Sequence, residues 1–327
     1  AFFLQQEFEI AGQRRTRMDA AAQGTQKARW DVKSFEKDLV AAVRTAFVDA
    51  LVSRDRVRLA EKGVRIAATL SQELAHEQQL SDVQRLDLNV AQIQESRAQR
   101  QLAAAERTRD DSLDVLRRLL NLPIDQAIEL QGTAQHKVSG LPPAVELIER
   151  ALRQRPDLVA LRHGAQQAAR QLALTRREAI PNLTLSGTLS RFEGDTLIGG
   201  DIGISLPIFH GKSAGISDAI AERDRANLEL HNLERTVAEE TADARRACVV
   251  AAGDLQTLRD VIVPKSEENL RLEEHLYKGG IVTVSELVGL QIDLLSAQSD
   301  YLDALQTYND ALVELERVIG GSINSSP

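Results

Sequence analysis

The sequence predicts a mostly helical protein with a small β part, built as a two-fold internal repeat of very long coiled-coil helices plus β-hairpins. Three observations predict it. Aromatic residues make up only 3% of the 327 residues, while Ala, Leu, Arg, Glu and Gln recur throughout, a composition suited to long helices. No proline precedes Pro123, so nothing interrupts helix in the first third of the chain. The hydrophobic period, helical over most of the chain, switches to strand-like sequence at residues 1–10 and to a period of two at residues 182–209.

The chain opens in AFFLQQEFEI, and because a chain rarely starts inside an element, a longer precursor is expected. From Gln13 to about Gln79, Leu39, Val43, Ala46, Ala50, Ser53, Val57, Ala60, Val64, Ala67, Ser71 and Leu74 alternate spacings of four and three, a heptad seam of mostly small residues. Phe47, Leu51, Leu59, Ile66 and Leu70 add a second apolar flank, so this helix needs two neighbours. At about 1.5 Å per residue it would reach roughly 100 Å, which predicts an elongated protein. A polar turn around Gln78 to Ser81 leads to a return helix from Asp82 to Leu120, ended by Asn121-Leu122-Pro123. Residues 122–155 form a belt: a non-helical stretch, then a short helix from Ala144 to Gln154. Arg155-Pro156-Asp157 restarts helix with proline in the first turn, and that helix, 156–178, stops before Ile180-Pro181.

The period-two segment reads as one hairpin. Leu183, Leu185 and Leu189 alternate with Thr184, Ser186 and Thr188; beyond the turn residues EGDT, Ile202, Ile204, Leu206 and Ile208 alternate with polar or small residues. A lone hairpin needs a cover for its apolar face. Five of the seven phenylalanines, Phe2, Phe3, Phe8, Phe192 and Phe209, fall in the strand-like segments, as aromatic belts at membrane interfaces require; core packing of a β subdomain is the alternative. A second helical hairpin, 212–320, then follows, turning at Lys278-Gly279-Gly280. An offset of 199 pairs Gly12 with Gly211, Asp87 with Glu286, Leu88 with Leu287 and Asn121 with Gly320. The predicted organisation is a first repeat over 1–121 (strand segment 1–10, helical hairpin 13–120), the belt 122–155, a second repeat over 156–321, and a tail 322–327.

The formal charge of −8 argues against nucleic-acid binding, which needs a basic face. The single cysteine, Cys248, excludes an intrachain disulfide and reads as a small buried apolar residue. No run of about 18 apolar residues marks a membrane-crossing helix, and the first residues lack signal-peptide pattern. The six histidines, His76, His136, His163, His210, His231 and His275, are scattered; neither an HExxH nor a GxSxG pattern occurs, so the expectation is no enzyme, no cofactor and no metal site. His231 and Glu234 share helical spacing, for which a solvated polar face is the plainer reading.

Four stretches carry a family resemblance: QQEFEIAGQRRTRMDAA at 5–21, RPDLVALRHGAQQAARQLALTRREAIPNLTLSG at 155–187, ISLPIFHGKSAGISDAIAERD at 204–224, and YKGGIVTVSELVGLQIDLLSAQSDYLDALQTYNDALVELERVIGG at 277–321. In order and spacing they resemble the TolC-type outer-membrane factors, exit ducts of bacterial efflux and type I secretion. EIAGQR at the strand-to-helix junction resembles the heavy-metal cation-efflux branch more than the drug branch. The resemblance implies a trimeric α/β-barrel duct in the outer membrane of a Gram-negative bacterium with a long periplasmic extension. Three protomers would each give four strands to the barrel, whereas about three are legible here. It further implies a periplasmic adaptor (membrane fusion) protein and an inner-membrane pump of the resistance-nodulation-division type as partners, contact with outer-membrane lipid, and no nucleic acid.

For particular residues, the resemblance places adaptor contact at the second helix tip, Gly279, Gly280, Ile281, Val282 and Thr283. It places closure of the periplasmic entrance near Tyr277 and Glu286, with Gly289 standing where some members carry a second acid. Asp87 is the repeat partner of Glu286, so a three-fold tube would gather six carboxylates there, attracting cations; helix-start residues favoured by the dipole are the alternative. Ser81 takes the place of Gly280 in the first tip. Phe2, Phe3, Phe8, Leu185, Phe192, Ile204 and Phe209 are the expected membrane-facing strand residues. A soluble coiled-coil scaffold or tether is the competing function, and the hairpin between long helices argues against it.

Overall fold

A computed structural model describes residues 1–75, 82–134, 140–192, 194–204 and 212–323. Its elements are β1 (Phe2–Phe8), α1 (Gln13–Ala75), α2 (Asp82–Leu119), α3 (Ala144–Gln154), α4 (Pro156–Arg177), β2 (Leu183–Phe192), β3 (Asp195–Ile204), α5 (Ser213–Thr257), a π-helical turn (Leu258–Ile262), α6 (Val263–Lys278) and α7 (Val284–Ile319). The protein is thus mostly helical with a small antiparallel sheet. The predicted first tip around Gln78 to Ser81, the strand-end residues Leu206, Ile208 and Phe209, and His76, His136 and His210 lie outside the described residues. The chain groups into two compact units, residues 1–36 with 149–239 and residues 37–148 with 240–327.

The first unit holds the sheet, in the order β1-β2-β3 with both pairs antiparallel. Where β1 passes into α1, Gly12 adopts φ +75° and its carbonyl accepts from Arg177 Nη1 at 3.2 Å. A Cβ at position 12 would lie 2.7 Å from that nitrogen, the movable end of a long side chain, so it is the left-handed dihedral that favours glycine here. Gln13, almost fully buried, ties the junction together: its Nε2 donates to Asn182 Oδ1 at 2.9 Å and its Oε1 accepts from the Ala11 amide at 2.9 Å. Asn182 in turn donates to Glu7 Oε1 at 2.7 Å, linking β1 to the start of β2. Pro156 opens α4, where its missing N–H costs nothing, and the buried Arg155 clasps Asp157 at 2.6 Å. Burial opposes ionisation of Asp157, yet Arg155 and the Leu158 amide together hold its carboxyl below the usual range.

In the second unit most of the predicted seam is the packing face, whereas Leu39 at its start and Phe47 of the second flank are exposed. Ala46, Ala50, Ser53, Val57, Ala67 and Ser71 of α1 are buried. Leu51 and Val52 join Cys248, Leu255, Leu305, Tyr308, Leu315 and Ile319 in the largest cluster. Cys248 is fully buried there, and burial pushes its thiol up. The non-helical stretch after α2 is held by side-chain donors to its carbonyls. Arg54 donates to Leu130 at 3.2 Å and Gly132 at 2.9 Å, Arg245 to Pro142 at 2.7 Å, and Asn309 to Ala134 at 3.3 Å.

The two halves end their return helices in the same way. Asn121 (φ 53°) and Gly320 (φ 78°) both take the left-handed conformation. Asn121 N donates to Arg118 O and Leu122 N to Arg117 O; Gly320 N donates to Arg317 O and Gly321 N to Glu316 O. Every partner is displaced by 199 residues, so the repeat offset holds atom for atom at these caps.

The outward helix of the second helical hairpin is helical as expected and contains a feature the sequence reading did not include: Leu258–Ile262 form a π-helical turn in which the Val263 amide donates to Leu258 O. Pro264 follows in the first turn of α6; lacking an amide hydrogen and crowding the preceding carbonyls, it is accommodated by the widened turn.

Candidate functional site

Strand parity sorts the sheet into two faces. Pairing sets Phe2 opposite Leu189, Leu4 opposite Gly187, Gln6 opposite Leu185 and Phe8 opposite Leu183, while Leu183, Leu185 and Leu189 face Ile204, Ile202 and Ile198. One face therefore carries Phe2, Leu4, Phe8, Leu183, Leu185, Leu189, Ile198, Ile202 and Ile204 with Gln6, Arg191 and Thr196 among them. The other carries Gln5, Glu7, Thr184, Ser186, Thr188, Ser190 and Asp201, with the apolar Phe3 and Leu197 among them. Phe2 is 80% exposed, Ile198 83% and Ile202 73%, so this apolar face is uncovered by the described residues. Of the predicted membrane-facing residues, Phe2, Phe8, Leu185 and Ile204 share that face. Phe3 is on the polar one, Phe192 closes β2 opposite Asp195, and Phe209 lies outside the described residues. Leu4 and Ile198 were missed in the sequence, while Ile202 was read there only as part of the alternation; pairing parity, rather than the tally of phenylalanines, is the signal that places all three on this face.

The second helix tip is a tightly specified turn. At the end of α6, Gly280 N donates to Tyr277 O at 2.9 Å and Ile281 N to Leu276 O at 3.1 Å, with Gly280 at φ +69°, the geometry in which a helix C-terminus satisfies its last carbonyls through a left-handed glycine. Thr283 then caps α7: its Oγ1 accepts from the Glu286 amide at 3.3 Å, while Glu286 Oε2 accepts from the Thr283 amide at 2.8 Å and hydroxyl at 2.9 Å. These bonds, the Thr283 amide foremost, hold the Glu286 carboxyl below its ordinary range. Glu286 thus has a defined structural duty in a capping box. Ile281, 73% exposed, stands at the apex of the turn.

Behind the tip, Leu70, Ala91, Leu270, Val284, Leu287, Val288 and Leu294 form an apolar cluster, with Tyr277, Leu74 and Leu290 packed against it. Asp87, half-buried, sits one turn before Ala91 on α2, and Glu286 directly precedes Leu287 on α7. The structure accordingly brings the segments bearing Asp87, Tyr277 and Glu286 to one cluster. Elsewhere, His231 meets Glu234 at 3.4 Å on an exposed surface, and Glu234 also accepts from Arg162 at 3.3 Å, an ordinary surface network. Among the described residues no helix is long and apolar enough to cross a membrane, and no three His, Cys, Asp or Glu side chains group as metal ligands.

Comparison with known proteins gives a family match, described as outer membrane efflux protein, over residues 147–321. The chain is 25% identical over 318 residues to the cobalt-zinc-cadmium resistance protein CzcC of Cupriavidus metallidurans, covering 95% of this chain and 75% of that one. It is 24% identical to the pyoverdine export outer membrane protein OpmQ of Pseudomonas putida, covering 96% of this chain and 68% of that protein. In fold it is similar to the open state of the MtrE outer membrane channel of Neisseria gonorrhoeae, with a TM-score of 0.84 at 22% identity over 98% of this chain and 74% of that one.

Proposed function

We propose, on the premise that the chain belongs to the outer membrane efflux protein family, that it is the outer-membrane channel component of a tripartite efflux system, passively conducting substrate from an inner-membrane pump and a periplasmic adaptor to the exterior. The observation that carries this reading is the two-faced sheet. An exposed apolar face opposite a Thr- and Ser-rich one suits a strand wall with lipid outside and water inside. β1 and β3 are the edges of the described sheet, and hydrocarbon does not tolerate unpaired edges, so neighbouring copies complete the wall; a homotrimer closes it. A soluble tether has no use for such a face.

In this reading the long helices of each half extend into the periplasm, with the repeats 1–121 and 156–321 as equivalent halves and 122–155 as the belt. The turn Gly279, Gly280, Ile281, Val282 and Thr283 contacts the adaptor. Similarity to CzcC supports the metal branch of the family, with a divalent cation as cargo and a pump of the resistance-nodulation-division type. Asp87, Tyr277 and Glu286, each present three times around the axis, line the entrance and favour cations. Recording in planar bilayers tests this. Asp87→Asn with Glu286→Gln, which keeps an acceptor for the Thr283 amide, lowers cation over anion preference, and Tyr277→Phe raises the open fraction. Conductance and ion preference equal to the parent in all variants would contradict the entrance assignment.

A further inference from the structure

In the second unit α1 and α7 are joined by a line of polar contacts. Arg56 donates to Gln306 Oε1 at 2.9 Å and also pairs with Asp303, and Gln306 Nε2 donates to Asp49 Oδ1 at 2.6 Å. One helical turn beyond Gln306, Asp310 places its Oδ1 out of solvent with no hydrogen-bond partner among the described residues. Asp310 and Asp49 line the same groove.

The charges around that groove leave Asp310 uncompensated. α1 presents Asp38 and Asp49, α7 presents Glu314 and Arg317, and α2 presents only Val115 and Leu119. Arg317 is committed to Glu314 at 2.7 Å and Asp38 at 3.4 Å, and Arg44 to Glu316. Two carboxylates sharing a groove floored by apolar side chains cannot both ionise cheaply. Burial first, and the Asp49 charge second, push the Asp310 carboxyl up to about 6.

We propose that Asp310 is a proton-responsive latch between α1 and α7. A proton taken from solvent makes Asp310 a neutral acid whose O–H donates across the groove to the Asp49 carboxylate; its loss leaves two like charges and a looser seam. The folded chain then holds a proton that the unfolded chain would release, so the latch adds stability at low pH and gives it up as pH rises through about 6. This goes beyond the conduit reading and does not depend on it, since every group belongs to one protomer and one unit.

The test uses the full chain in detergent micelles. The infrared C=O stretch of protonated carboxylic acids reports the titration, and deuterium exchange of the α7 amides, corrected for intrinsic exchange, reports the seam. The parent should show a carboxyl band with a midpoint near pH 6 that Asp310→Asn removes, and α7 exchange on the order of tenfold slower at about pH 5 than at about pH 7.5. In Asp310→Asn the exchange should lose its pH dependence. If that variant fails to fold, Asp49→Asn serves instead and should move the midpoint to lower pH. A parent midpoint in the ordinary carboxylate range, or an equal pH response in parent and folded variants, would overturn the latch.

Discussion

At the second tip, Thr283 and Glu286 satisfy each other's backbone amides, so the acid that we propose for the entrance on family resemblance also fixes the start of α7. Thr283→Ala should cost about 1 kcal/mol of local stability, seen as faster exchange in the first turn of α7. The Glu286 carboxyl is held below its usual range, so its contribution is complete above the unfolded value and is lost as pH falls through the lower folded one. Fraying of this turn should therefore appear only in strongly acid solution, and Glu286→Gln should abolish that acid dependence. The other informative residues are the paired caps. Asn121 tolerates a left-handed backbone through its short polar side chain, whereas a β-branched residue does not; Asn121→Val and Gly320→Val should each lower stability by about 1–2 kcal/mol in denaturant unfolding. Equal losses at two sites 199 residues apart would reflect one structural solution used twice.

Among the elements, the long helices were readable because their seams repeat over many turns: Ala46, Ala50, Ser53, Val57 and Ala67 are buried where the four-three spacing puts them. The start of α4 was equally plain from Pro156. The π-helical turn was not, because one extra residue in one turn barely disturbs a periodicity summed over dozens; Pro264 was its local signal. The arginine donors that hold the stretch after α2 were likewise invisible, since the partners are backbone carbonyls far away in sequence. Gln13 was legible only as part of a motif; its reason, a buried amide bridging two chain junctions, needed the fold. For the sheet, alternation in the sequence identified the strands, but pairing was needed to separate Phe3 from Phe2 and Phe8 and to add Leu4 and Ile198. The faces predict an asymmetry: Leu185→Arg should reduce assembled protein, at a cost of about 2–4 kcal/mol near the membrane midplane, while Ser186→Arg on the opposite face should leave the yield close to that of the parent.

At the scale of the whole molecule, the proposed function divides the labour: in that reading the sheet meets lipid, the helices carry the conduit, and the tip meets the partner protein. Family membership is secured by residues 147–321, and the shared fold with outer membrane channels extends over nearly the full chain. The central claim is that one sheet face touches lipid and the other water. Single cysteines introduced at Leu185, Leu189, Ile198 and Ile202, and at Thr184, Ser186, Thr188 and Asp201, in a Cys248→Ala background, would be spin-labelled and the protein reconstituted in lipid. Relaxation by dissolved oxygen and by a water-soluble nickel complex would then be compared position by position. The account predicts that the first four collide preferentially with oxygen and the second four with the nickel complex, alternating along each strand. Equal accessibility on both faces, or the opposite alternation, would contradict it.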